Sequence, residues 1–260
     1  MTMGAPVLSL EDVSVVRNGR TVWSEGTFSI PRGAVVGVIG PNGSGKTTLL
    51  EMVLGMIPPA SGRMTVLGQA PRRGDPRIGY VPQSYSAVTG EAVRGRDLVA
   101  LGLAGARWGL SRLSAADRDR VEAAMATVDA TSFAGQRMSR LSGGQQQRVA
   151  IAQALVSAPE LVLLDEPLAN LDPRNQHEIA SLLGSLRLSA DAPEPVTVLV
   201  VAHDLNPLLP VLTGAVYLLD GHAHYGAIGD VVDGELLTHL YGTRVKVVTT
   251  PQGELFTRSW

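Results

Sequence analysis

Residues Gly40-Pro41-Asn42-Gly43-Ser44-Gly45-Lys46-Thr47 fit the pattern G-x-x-x-x-G-K-[ST] in full, with a second hydroxyl at Thr48. Glycines at these positions let backbone N–H groups turn inward, and a helix starting at the end of the loop adds the positive end of its dipole. Such a loop wraps a di- or triphosphate. Lys46 is placed to reach the outer phosphates as a point charge, and the Thr47 hydroxyl to bind Mg²⁺. The plain alternative is a Gly-rich turn with an ordinary capping residue. An apolar run before the loop and a helical pattern after it argue against that, because this is the context a phosphate-binding loop requires.

Leu161-Val162-Leu163-Leu164-Asp165-Glu166 reads as a buried strand ending in two carboxylates. That arrangement is costly unless the strand end emerges at a site that uses charge. Asp165 is expected to orient Mg²⁺ and Glu166 to polarise an attacking water. Taken alone, the pair fits a solvated turn equally well; beside a phosphate loop it is the expected second half of a nucleotide site. Leu141-Ser142-Gly143-Gly144-Gln145 opens a helix with Val149, Ala152 and Leu155 on one face, and Ser142 with Gln145 spells a capping box. A helix start alone explains the segment. Gly143 and Gly144, however, weaken a helix while leaving N–H groups exposed at its positive end, which suits an anion held by this chain or by another.

In this order the motifs resemble those of the nucleotide-binding subunit of the ABC transporter family, and the resemblance spans the whole chain. Leu141 to Gln145 matches the signature of the family, which other P-loop ATPases lack. The resemblance implies ATP and Mg²⁺ as cofactors and ATP hydrolysis as the reaction. Gln83, in Tyr80-Val81-Pro82-Gln83, resembles the Q-loop glutamine that touches Mg²⁺ and couples to a permease. Ala169-Asn170-Leu171-Asp172 is similar to the D-loop, which puts Asp172 at a dimer interface beside nucleotide. His203, in Val201-Ala202-His203-Asp204, resembles the switch histidine. A lone His after an apolar strand is ordinarily structural; as the last of an ordered set it becomes a catalytic expectation.

One position departs from the family. Where an aromatic side chain usually stacks on adenine, this chain has Arg17 with Val16 beside it, and a guanidinium plane can take that place. Trp23 sits where the family packs an apolar residue and is expected in the core. The Tyr80 to Gln83 segment, the run Asp97 to Gly102 and the ending Leu240-Tyr241-Gly242-Thr243-Arg244-Val245 are most similar to importers of metal ions or metal chelates. The implied partners are a second nucleotide-binding subunit, as a homodimer or a paired subunit, an integral membrane permease and an extracytoplasmic solute-binding protein. The implied location is the cytoplasmic face of the cell membrane, peripheral through the permease. An exporter motor and a soluble ABC ATPase without a permease are the alternatives. His222 and His224, flanking Ala223 in a Gly-bounded hairpin, read as solvated surface rather than as a metal sensor.

The elements that must position these residues follow from pattern. Residues 7 to 39 read as strands, with Arg17-Asn18-Gly19-Arg20 as a turn, which predicts an antiparallel hairpin. Val35-Val36-Gly37-Val38-Ile39 is wholly apolar, as in a strand buried on both faces of a parallel sheet. Leu49, Met52, Val53, Met56 and Ile57 share one helical face that Pro58-Pro59 ends. From about residue 84 the β-runs give way to a helical lobe reaching the signature helix, about 84–155. Strands return at Leu161 to Leu164, Val196 to Val201 and Ala215 to Leu219, with a polar loop from Ser189 to Pro195. Short strands and a helix near Leu236 to Tyr241 are expected over about 215–260. The expected architecture is α/β: a P-loop NTPase core with a mostly parallel sheet, an N-terminal antiparallel β-subdomain and a helical signature lobe, in a single ABC ATPase domain over 1–260.

Composition agrees. The 260 residues are 45% hydrophobic and 18% charged, which predicts a large buried interior or a hidden interface. A formal net charge of -2 lacks the basic excess that nucleic-acid phosphates demand, so nucleic acid is not expected as a partner. Cysteine is absent, which excludes disulfides, thiolate metal sites and a Cys nucleophile. The stretch Met1 to Pro6 has no basic residues ahead of an apolar run, so a signal peptide is not expected. No apolar run approaches the roughly 18 to 20 residues of a membrane span.

Overall fold

The computed structural model describes residues 5–83, 93–104, 113–187, 195–249 and 255–259. The expected start of the helical lobe, 84–92, and most of the predicted polar loop before Pro195 lie outside them. Strands β1 (Leu8–Arg17) and β2 (Arg20–Ile30) form the predicted hairpin. Asn18 and Gly19 both take positive φ, 52° and 75°, as a tight two-residue turn between right-twisted strands requires. The other edge of β1 pairs with β4 (Ser61–Val66), an element the sequence pattern did not single out. Its first half is exposed, and only Met64 and Val66 are buried, so β4 is too short and too polar to announce itself.

Strand β3 (Val35–Ile39) runs parallel between β7 (Thr197–Val201) and β8 (Gly214–Leu219). Strand β6 (Leu161–Asp165) runs parallel between β7 and β5 (Ile78–Val81). Strand β9 (His222–Ala227) returns antiparallel to β8 and meets β2 through the pair Ser24 and His222, where Ser24 N–H donates to Gly221 O at 2.8 Å. The antiparallel subdomain and the parallel core are thereby one nine-stranded sheet, in the order β4-β1-β2-β9-β8-β3-β7-β6-β5.

Side-chain alternation divides the interior in two, because successive residues of a strand face opposite ways. Val36, Val38, Leu161, Leu163, Leu199 and Val201 face the core that holds α1 (Lys46–Val53) and the antiparallel strands, with Trp23 fully buried in it. Val35, Ile39, Val162, Leu164, Val198 and Val200 face the second core. That core packs α2 (Gly95–Ala104), α3 (Ala115–Thr127), α4 (Gly143–Leu155) and α5 (Pro173–Leu186). Helices α2 to α4 are the described part of the helical lobe. Helix α1 is shorter than the apolar pattern through Ile57 predicts: it ends at Val53, and Gly55 turns the chain at φ 66°, leaving Met56 half exposed. The chain closes with α6 (Ile228–Val231), α7 (Gly234–Tyr241) and a ribbon of β10 (Val245–Thr249) with β11 (Leu255–Ser259). Among the described residues no helix is long and apolar enough to cross a membrane.

Candidate nucleotide site

The loop Gly40 to Gly45 leaves the carboxyl end of β3 and enters α1 at Gly45, the N-cap, with φ 98°. No other residue fits there. Beyond the left-handed backbone, a Cβ on Gly45 would come within 2.5 Å of Val22 Cγ1. Lys46, on the first turn, is 7% exposed, and its Nζ donates to Gly40 O at 2.7 Å and Pro41 O at 2.9 Å. An ammonium has three N–H donors, so one remains for an anion at the mouth of the loop. Burial lowers the Lys46 pKa, and the charges of Glu166 and Asp165 oppose that shift.

Asp165 continues the alternation of Leu161 and Leu163 and therefore faces α1. Its Oδ2 accepts from Thr47 Oγ1 at 3.4 Å. It is 5% exposed, and burial together with the neighbouring Glu166 charge raises its pKa. A hydroxyl and a carboxylate oxygen in this pairing are hard donors of the class Mg²⁺ takes. Ser44 Oγ is buried without a hydrogen-bond partner, an orphaned polar atom inside a loop whose geometry suits phosphate oxygens.

Glu166 lies one residue past β6, at φ 53°. Its two carboxylate oxygens are both engaged: Gln83 Nε2 donates to Oε2 at 2.6 Å, and His203 Nε2 lies 2.6 Å from Oε1. Gln83 follows β5, Glu166 follows β6 and His203 follows β7, so three adjacent parallel strands deliver the three groups to one point. A cleft of about 140 Å³ opens beside them, lined by Glu166, Ala169, Asn170, His203 and Asp204. The arrangement can hold a phosphate chain at Lys46, a hard cation at Thr47 and Asp165, and a polarised water at Glu166.

The signature and D-loop residues have structural duties of their own. Ser142 caps α4: Gln145 N–H donates to Ser142 Oγ at 3.3 Å, and Ser142 N–H donates to Gln145 Oε1 at 3.0 Å, which completes the expected box. Gly143 is exposed, but Gly144 is buried, and a Cβ there would lie 2.1 Å from Asn175 Oδ1. Close packing on α5 explains Gly144 where an exposed N–H was expected. Asp172 caps α5, accepting from Asn175 N–H at 3.0 Å and from the Asn175 amide. Asn175 thus holds the D-loop and α4 together, a role that only the Asp172-to-Asn175 spacing hinted at. Arg17, half exposed at the end of β1, is ion-paired with Glu51 on α1, and Val16 beside it is also half exposed. Thr48 is buried on α1. His222 and His224 lie on β9, their rings 6.2 Å apart, and no metal-holding cluster occurs among the described residues.

A family model described as ABC transporter matches residues 24–169, from β2 through the phosphate loop and the signature to the turn after Glu166. The manganese transport system ATP-binding protein MntB of Bacillus subtilis (strain 168) is 34% identical over 238 residues, covering 92% of this chain and 93% of that protein. The zinc transport system ATP-binding protein TroB of Treponema pallidum (strain Nichols) is 30% identical over 249 residues, covering 96% and 92%. Among solved structures, an inward-facing conformation of an ABC transporter superposes with a TM-score of 0.83 at 27% identity, covering 98% of this chain and 97% of that one. The chain belongs to the ABC transporter family, as one of its ATP-binding, ATP-hydrolysing subunits.

Proposed function

We propose that this chain powers the transport of a metal ion or metal chelate through a separate membrane permease, with residues 1–260 forming one ABC ATPase domain. The observation that carries the ATPase part is the convergence of Gln83 and His203 on the Glu166 carboxylate, beside the Thr47 and Asp165 oxygens. Lys46, Ser44, Thr48 and the N–H groups of the loop bind the phosphates, and Arg17 supplies a flat cation for the base. Thr47, Asp165 and Gln83 would hold Mg²⁺, which would supply positive charge against the phosphates. Glu166 orients the attacking water and accepts its proton, and His203 fixes the Glu166 carboxylate.

The metal cargo is supported by relatives whose names specify manganese and zinc transport. A second copy of the chain or a paired subunit, the permease and an extracytoplasmic solute-binding protein complete the proposed assembly at the cytoplasmic face of the membrane. Disrupting the gene lowers cellular manganese, zinc or iron when metal is limiting, measured by elemental analysis. Unchanged levels of all three, with loss of an organic solute instead, overturn the metal assignment and leave the ATPase reading standing.

A further inference from the structure

Trp23 is the largest of the fully buried side chains, and its pyrrole edge lies against the phosphate loop. A Cβ built on Gly45 would be 3.0 Å from both Cδ1 and Nε1 of the indole. Nε1 nevertheless has no hydrogen-bond partner. An indole N–H is a donor only, and buried donors are almost always paired, so this exception needs a reason. Filling space is not that reason, since a phenyl ring buries no orphaned donor.

Two features of the loop supply one. Ser44 Oγ, one residue before the Gly45 that the indole lies against, is also buried and unpartnered, so the loop carries a second orphaned polar atom. The loop is also unpacked on one side, where a cleft of about 240 Å³ separates Asn42, Gly43 and Ser44 from the β8–β9 turn at Asp220. Lys46 meanwhile ties the loop to itself through Gly40 O and Pro41 O. Phosphate bound by the remaining Lys46 donor acts on the loop through that tie.

We propose that Trp23 is a positioning residue for the phosphate loop: its indole N–H waits unpaired beneath Gly45 and donates to an oxygen of the Ser44-Gly45 segment once the loop closes on phosphate. The phosphate-bound loop is then stabilised relative to the free one. This rests on residues 40–47 being a phosphate-binding loop, and the test separates the two. The full chain carrying Trp108→Phe and Trp260→Phe retains one indole, whose ¹H–¹⁵N signal is followed together with the Gly45 amide during titration with Mg-ADP and with Mg-pyrophosphate. Both signals move, and the indole proton moves downfield as its hydrogen bond forms. In the parent chain, Trp23→Phe binds Mg-ADP about fivefold more weakly, equivalent to about 1 kcal/mol. A Gly45 amide that shifts while the indole proton stays still overturns the role of Trp23 and leaves the phosphate loop intact. If neither signal moves at saturating ligand, the phosphate-loop reading falls and the proposal falls with it. Because the spectroscopic arm uses the native Trp23, it decides even where Trp23→Phe does not fold.

Discussion

Glu166 holds the left-handed backbone that a side chain with a Cβ adopts only at a cost of about 1–2 kcal/mol. Its N–H donates to Val201 O at 3.1 Å and its carbonyl accepts from Ala169 N–H at 3.2 Å, so the turn is held on both sides. Leaving the strand in this way sends Glu166 off the alternation that aims Asp165 at α1, and two adjacent carboxylates acquire different surroundings. Asp165 is buried beside Thr47, while Glu166 meets Gln83 and His203. Arg17, the residue proposed to meet the base, has its guanidinium tied to Glu51 on the helix that starts at Lys46. A guanidinium anchored there presents a flat cation but no pattern of donors matched to one base. Arg17→Ala is therefore expected to weaken ATP and GTP binding alike by a factor of a few, the equivalent of a stacking contact of about 1 kcal/mol. Calorimetry in which ATP affinity falls and GTP affinity holds would assign base selectivity to Arg17 and remove this account.

At the scale of elements, the strands that deliver Gln83, Glu166 and His203 must stay in register, and β5, at the edge of the sheet, is the one most in need of support. Asp75 provides it. The carboxylate is 6% exposed and accepts from Arg77 N–H and Nε at Oδ1, both at 3.0 Å, and from Nη2 at Oδ2 at 2.7 Å. Arg77 O in turn accepts from Leu161 N–H at 3.1 Å, at the start of β6. The hydrogen bonds from the Arg77 side chain lower the Asp75 pKa to about 2. A carboxylate whose pKa is depressed by folding stabilises the fold above its unfolded value of about 3.9, and that contribution is lost as pH falls through the folded value. Asp75→Asn is expected to cost about 2 kcal/mol at neutral pH, with a difference in melting temperature that narrows below about pH 4. A difference that stays constant from neutral pH down to pH 3 would refute the clamp.

The same scale shows why the sequence revealed some elements and not others. Strands β3, β6 and β7 are buried on both faces and therefore read as unbroken apolar runs, and the α4 capping box is a spacing of two residue types. By contrast, the early end of α1 depends on Gly55 taking φ 66° over a helical pattern that continues to Ile57. Gly144 is explained by Asn175, a residue on another helix, and the ion pair of Arg17 with Glu51 joins a strand to a helix far along the chain. Local pattern carries no record of such contacts, so residue types were legible and their partners were not.

At the scale of the whole molecule, the signature stands apart from the chemistry of its own chain. Ser142 is spent on the α4 cap, Gly143 is exposed, and no hydrogen bond or ion pair among the described residues joins either of them to Lys46, Thr47 or Glu166. An exposed helix N-terminus with nothing in its own chain to meet is completed by a second copy, if that copy brings a phosphate to it. The proposed pairing is therefore head to tail, with nucleotide on the loop of one subunit and the signature of the other closing over it. ATP then acts as the joint, and the joint lasts until hydrolysis. Glu166→Gln keeps the shape of the side chain but removes the base, so it is expected to bind ATP normally, turn over at least about a hundredfold more slowly and accumulate as an ATP-bound dimer. Adding Ser142→Arg sets a bulky side chain where the phosphate of the partner must enter and returns the protein to monomer, while the loop still binds nucleotide. Sedimentation velocity in Mg-ATP distinguishes the outcomes. A double variant that dimerises as well as Glu166→Gln alone would show that the signature does not act across the interface.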